Sequence, residues 1–239
     1  MTTTMTKLEP AEVWMKGLRD GFAKRGKDFR RHPVLVKWMN GEATLGQLRL
    51  WAAQEWNLVK SVETPTPRSF DHIPEPWRAK MVANDLEERT GAVSHTAGHP
   101  TLFRNFCEGI GLSHAELDRR SKHLLPTAAV MYFFEWVAKC RPWYYGLAAG
   151  GILEDQVQPT FRPCADALLK SYRLAPKAAQ FFEVHEEADK EHGDTATAIL
   201  SQYATTAEIR SELSHVANHA VDLLWDMWMT PETHPQYAV

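Results

Sequence analysis

Cysteine is scarce, with Cys107, Cys140 and Cys164 scattered through 239 residues. So few thiols exclude a disulfide framework or a cysteine-rich zinc site, and they fit a reducing compartment. A basic excess is missing as well. The chain has 27 lysines and arginines against 30 acids, a net charge of −3, and so lacks the positive field of a general nucleic-acid binder. No run approaches the ~18 uninterrupted apolar residues of a membrane span. The opening Met1-Thr-Thr-Thr-Met-Thr-Lys-Leu-Glu-Pro has no apolar stretch of the kind a secretory signal needs. Together these absences predict a cytoplasmic chain with neither membrane nor nucleic acid as partner. Strand-like alternation is rare, and no low-complexity run or internal repeat appears.

Helical periodicity is what fills the chain. In the last third, Phe181, Phe182, His185, Ala188, Asp189, His192, Ile199 and Leu200 recur at three- and four-residue steps, and residues 206–229 repeat the pattern. Capping boxes are expected at Thr44…Gln47, Ser113…Glu116 and Thr205…Glu208, where a hydroxyl and a carboxylate or amide three residues on satisfy free N–H groups. Prolines and glycines divide the remainder into helices of 44–63, 76–90, 100–111, 113–123, 126–140, 143–158 and 163–173. The expectation is one compact all-α domain over 1–239, with loose termini at 1–8 and 231–239.

The segment carrying most chemistry is Glu183-Val-His185-Glu-Glu-Ala-Asp189-Lys-Glu-His192. At ~100° per residue, positions 185, 189 and 192 fall at about 0°, 40° and −20° on the helical wheel, so two imidazoles and a carboxylate share a stripe. That stripe continues into the apolar residues that face the core. A buried aspartate there needs neutralising, and a divalent metal does so directly. A hydrogen-bonded core network would satisfy the same pattern. Further ligands could come from Glu154, from Glu87 or Glu88, and from His95 or His99. Carboxylate-x-x-His steps such as Asp189…His192 are used by dinuclear helical bundles. A rival stripe, His215, His219 and Asp222, has the same i, i+4, i+7 spacing, so spacing leaves the choice open.

With these residues in view, the chain resembles the heme-oxygenase-like di-iron oxidases and oxygenases, relatives of the quinone-synthase C and thiaminase II proteins. The likeness runs over about 30–225. It rests on the Glu-Glu…Gly…His-Pro segment at 87–100, Leu-Glu-Asp-Gln-Val at 153–157, and His185-x3-Asp189-x2-His192. The resemblance implies a seven-helix heme-oxygenase-like bundle and two iron ions, or manganese, held by Glu88, His99, Glu154, His185, Asp189 and His192. Glu87 and His95 are the alternatives to Glu88 and His99. Glu154 and Asp189 are the residues it implicates in catalysis. It turns His215, His219 and Asp222 into supporting residues. A homodimer is common in this fold. One variant of the family consumes its own tyrosine to make an aminobenzoate, and this chain has Leu153 and Phe181 where that variant has tyrosines.

Imidazole and carboxylate donors without thiolate suit iron or manganese rather than copper(I) or an iron–sulfur cluster. The function expected is O2-dependent oxidation of a small organic substrate, by N-oxygenation or oxidative C–C cleavage. Trp51, Trp56, Phe133, Phe134, Trp136, Trp143, Tyr144 and Tyr145 are candidate pocket walls, with Arg141 or Arg162 as a carboxylate clamp and Glu55 as a lining residue. The competing expectations are a metal-free quinone-synthase-like oxidase, a thiaminase-like hydrolase using Cys140, a heme binder, and a helical binding module.

Overall fold

The computed structural model describes residues 8–62 and 70–238, with the side chains of residues 62 and 187–193 outside the description. The described residues contain helices and connecting turns and no strand. In chain order the helices are α1 (Ala11–Lys24), α2 (Pro33–Met39), α3 (Leu45–Val59), α4 (Trp77–Thr90), α5 (His99–Gly109), α6 (His114–Arg120) and α7 (Leu125–Cys140). They are followed by α8 (Tyr145–Ala149), α9 (Gly151–Val157), α10 (Phe161–Lys170), α11 (Gln180–Tyr203), α12 (Ala207–Trp228) and α13 (Thr230–Thr233). The expected count of seven is therefore too low. Segments expected to be continuous are divided, as at Gly150, where the helix foreseen over 143–158 becomes α8 and α9.

Local chemistry accounts for the helix starts. Thr44 and Ser113 form complete capping boxes with Gln47 and Glu116. The box expected from Thr205 is shifted by one residue, because Thr206 accepts from the Ile209 N–H at 3.2 Å. Pro33, Pro100 and Pro126 stand in the first turns of α2, α5 and α7, where an absent N–H costs nothing.

Helix α11 runs through the bundle against α9, α10 and α5, and α12 lies against α7 and α8. Between them sits an aromatic core. Trp38 stacks on Phe106 at 5.5 Å and meets Trp51 edge-on at 5.0 Å, while Phe106 meets Phe182 at 5.0 Å. Such edge and stacked contacts add to the area these rings bury. Helices α9 and α11 are antiparallel and very close. A Cβ on Gly151 would come within 2.6 Å of the Ala196 Cβ, and seven residues on, Gln158 donates to the Glu186 carbonyl at 2.9 Å. Arg19 fixes this register from α1, reaching Asp155 of α9 at 2.5 Å and Thr197 of α11 at 2.8 Å.

At the C-terminal end the chain is anchored through residues 230–232. Thr230 and Pro231 are buried, and Glu232 accepts from Lys37 at 2.8 Å and Gln47 at 2.9 Å.

Candidate metal centre

Three of the expected ligands converge. Glu88 of α4, His99 of α5 and His185 of α11 each bring one donor atom within 4.8 Å of the others. The rings of His99 and His185 lie 4.2 Å apart between centroids. Residues far apart in the chain meet because α5 packs against both α4 and α11.

The turn between α4 and α5 delivers His99 to this place. Gly98 passes so close to the end of α4 that a Cβ there would stand 2.0 Å from the Arg89 carbonyl oxygen, so no larger residue fits. Glu87, 5% exposed, ties the turn down. Its carboxylate accepts from the Val93 N–H at 2.6 Å and the Ser94 N–H at 3.2 Å. Burial pushes this carboxyl up, but the Ser94 and Val93 donors and nearby His99 outweigh it and hold the group below its ordinary value. Glu87 is thus occupied by backbone, while its neighbour Glu88 reaches the cluster.

His99 is 1% exposed. Its Nδ1 lies 2.6 Å from Glu88 Oε2, yet neither ring nitrogen has a partner in hydrogen-bonding geometry among the described residues. Two unsatisfied nitrogens on a buried ring are costly. Coordination to a metal ion would remove that cost. His185 Nδ1 is 2.7 Å from the Phe181 carbonyl. Donating there fixes the tautomer that leaves the Nε2 lone pair for a metal, a common arrangement of ligating histidines. The donor set is nitrogen and oxygen, which suits iron or manganese.

Glu154 is partly buried on α9, outside this three-residue group. It stands three residues along α9 from the Gly151–Ala196 contact, level with the turn of α11 near residue 192. The expected ligands Asp189 and His192 lie outside the described residues, although the α11 backbone carries through both positions.

The remaining expectations separate clearly. His95 is exposed at a positive φ of 55°, on the outside of the turn that sends His99 inward. On α12, His215 and His219 are exposed, and Asp222 pairs with Arg25 at 2.9 Å. Arg162 lies 3.5 Å from Asp166, and Arg141 lies 3.7 Å from Glu212 while stacking over Trp136 and Tyr145. Both arginines thus lie beside acids, and the Arg141 Nε is buried without a hydrogen-bond partner among the described residues. Cys140 is exposed at the end of α7, whereas burial pushes the Cys107 and Cys164 thiols well up. Neither buried thiol has the partly open setting of a nucleophilic thiolate.

Phe181 borders the cluster, its ring 4.1 Å from that of His185. Phe103 packs on Phe181 at 4.9 Å, and Trp56 stacks on the other side of Phe103 at 6.1 Å. Trp56 forms one wall of an open cleft of about 500 Å³ that also has Asn57, Arg104 and Asp118 in its lining. An aromatic layer therefore separates this cleft from the candidate ligands.

The cluster offers imidazole and carboxylate donors and no thiol. The model of the family described as iron-containing redox enzymes matches residues 49–225, well over half of the chain. The chain belongs to that family and is an oxygen-dependent oxidoreductase. Among curated relatives, a 4-aminobenzoate synthase of Nitrosomonas europaea is 29% identical over 208 residues, 82% of each chain. A 4-aminobenzoate synthase of Chlamydia muridarum is 24% identical over 178 residues, 74% of this chain and 73% of the relative. Solved structures agree on the fold. A heme-oxygenase-like domain of unknown function from Shewanella denitrificans superposes with a TM-score of 0.72 at 15% identity, covering 97% of this chain and 95% of its own. A TenA homologue from Pseudomonas syringae gives 0.69 at 11% identity, covering 95% and 97%.

Among the described residues no helix is long and apolar enough to cross a membrane.

Proposed function

We propose that the chain holds two iron ions through Glu88, His99, Glu154, His185, Asp189 and His192 and uses O2 to oxidise a small organic substrate. The observation that carries this reading is the meeting of Glu88, His99 and His185 around a buried imidazole with two unsatisfied nitrogens. The family supports iron. The count of two rests on the resemblance and on the further donors carried by α9 and α11. Manganese is the competing occupant of the same donor set.

When bound, iron supplies the redox chemistry by which O2 is reduced and the substrate oxidised. The protein's own residues do the rest. Glu87 and the turn it anchors hold His99 in place before any metal arrives. The Phe181 carbonyl orients His185. Phe181 and Phe103 close one side of the centre against water, which strengthens the electrostatic interactions inside it. The reaction type proposed is N-oxygenation or oxidative C–C cleavage.

A more specific reading, formation of 4-aminobenzoate, is favoured by the relatives of that name over most of their length. Leu153 and Phe181 argue that it would start from a free substrate rather than from a side chain at those positions.

The test is anaerobic loading with Fe(II) followed by metal analysis, comparing the parent with Asp189→Ala and His99→Ala. Near two irons in the parent and a clear loss in both variants supports the reading. No iron above background in the parent defeats it. Release of 4-aminobenzoate on exposure to O2, with and without added small-molecule amines, separates the two substrate readings.

A further inference from the structure

A second aromatic system leads away from the candidate ligands toward the opposite surface. From His185 the contacts run through Phe181 to Phe182, rings 5.2 Å apart, and Phe182 lies 6.4 Å from Trp51. Trp51 meets Trp228 at 5.4 Å. Beyond Trp228, His32 and Phe29 bridge to Trp225, with His32 4.5 Å and Phe29 5.4 Å from it. Trp225 is half-buried at the surface beneath the Lys27 ammonium, 5.1 Å from its ring.

The indole N–H groups along this line differ. That of buried Trp51 has no acceptor among the described residues, whereas that of Trp228 donates to Glu55 Oε2 at 2.7 Å. Burial raises the Glu55 carboxyl to about 7. A largely buried carboxyl whose one hydrogen-bond partner among the described residues is an indole is an expensive way to satisfy a single donor, since a neutral side chain would do so without the desolvation penalty. The arrangement makes sense if the acid takes the indole proton.

We infer that Trp51, Trp228 and Trp225 form an electron relay between the metal centre and the surface, with Glu55 as the proton acceptor of Trp228. The inference rests on the proposed iron centre. Phe181 and Phe182 are the packed bridge and are not themselves oxidised. The first electron would leave Trp51 for iron oxidised by O2, and the electron that refills Trp51 comes from Trp228. At Trp228 the Nε1–H bond breaks and the proton passes to Glu55, leaving a neutral indolyl radical and a carboxylic acid. Because Trp51 has no such acceptor, its oxidised form keeps its positive charge in the core, and the vacancy is drawn outward to Trp228 and Trp225. An electron then passes from Trp225 to Trp228 as the proton returns from Glu55 to the Trp228 Nε1, and a one-electron donor in solution, of thiol or ascorbate class, refills Trp225.

The test is to expose Fe(II)-loaded full-length protein to O2 without organic substrate or reductant. Freezing for electron paramagnetic resonance, peptide mass spectrometry for oxygen added to indoles, and metal analysis are then run on the same samples. Expected are an indolyl radical and oxidation concentrated on Trp228 and Trp225 over Trp136, which is more exposed at 42% but lies off the line. Trp51→Phe should lower oxidation at both sites severalfold with iron content unchanged. Glu55→Gln, which keeps an acceptor for the indole but cannot take its proton, should abolish the neutral-radical signal. Oxidation that follows exposure, or a pattern unmoved by Trp51→Phe in iron-replete protein, overturns the relay alone. A parent that takes up no iron overturns both the relay and the centre it serves.

Discussion

Helices α11 and α12 each carry two histidines and an aspartate at the same spacing, His185, Asp189, His192 and His215, His219, Asp222, and the fold treats them differently. On α11 the stripe begins beside two residues from other helices, Glu88 and His99, in the interior. On α12 the histidines face solvent, His219 rests against Phe133 at 4.9 Å, and Asp222 is neutralised by Arg25. Helical spacing determines which side chains share a stripe. The neighbours of that stripe decide whether it becomes a site. Here the deciding neighbours are α4 and α5, and the apolar inner face of α12 is turned to the core instead.

Substitution on the two stripes should give the largest contrast. His99→Ala or His185→Ala should reduce Fe(II) uptake from about two ions per chain to background, as expected when ligands from facing helices are removed. His215→Ala or His219→Ala should leave uptake unchanged. Metal analysis after desalting measures both, and equal losses from the two helices would erase the distinction.

Next is the residue that brings α5 to the α11 stripe. Glu87→Gln keeps the size of the side chain but weakens its charged acceptor for Val93 and Ser94. Iron affinity should fall about 10–100-fold with the fold intact, the usual cost of losing an outer partner of a ligand. Competition with a chelator reads this out, and an unchanged affinity would show that the turn holds His99 without Glu87.

The inner face of α12 is tested through Glu55, which bonds Trp228. Its carboxyl is raised from 4.5 to about 7, so an unfolding chain releases this proton at lower pH than the folded one. The folded state therefore loses stability as pH rises through this window, by up to about 3 kcal/mol once pH exceeds the folded value. Glu55→Gln should raise the melting temperature at pH 8 and leave it nearly unchanged at pH 4. Buried His32, pushed down to about 4, has the opposite slope. Its stabilisation is present above the ordinary 6.5 and is lost as pH falls toward 4. The Glu55→Gln protein should consequently show a steeper rise in stability from about pH 4 to 6.5 than the parent. Calorimetry across that range checks both signs.

Least affected should be the outer α12 stripe. Arg25→Ala removes a half-exposed pair with Asp222 and should cost less than about 1 kcal/mol by denaturant titration. A larger loss would give the α12 stripe a structural importance that its exposure does not suggest.

Much of the candidate site was legible because helix periodicity is local. The stripe at 185–192, the Glu-Glu pair and the His-Pro start of α5 could all be placed on helices by pattern. The choice of Glu88 over Glu87 and of His99 over His95 was not legible in periodicity, because it depends on how tightly the turn closes on α4. Gly98 is the visible trace of that closure, though the pattern gives no hint of which carboxylate the turn captures. The setting of Arg141 was not legible for a related reason: nothing local announces that it lies beside Glu212 of α12, whereas the i,i+4 pair of Arg162 with Asp166 is readable within α10. The relay went unseen because Trp51 and Trp228 are 177 residues apart and touch only through the packing of the core.

The sequence by itself determined a helical chain, a stripe that combines imidazole and carboxylate side chains, and a supply of nitrogen and oxygen donors. These follow from backbone periodicity and from the chemistry of individual side chains, which are fixed within a few residues. Only the tertiary structure decided which of two equally spaced stripes meets Glu88 and His99 and which acid of a pair holds the turn. Contacts between distant helices are set by complementary packing and by the expulsion of water from apolar faces, and no short-range pattern encodes their outcome.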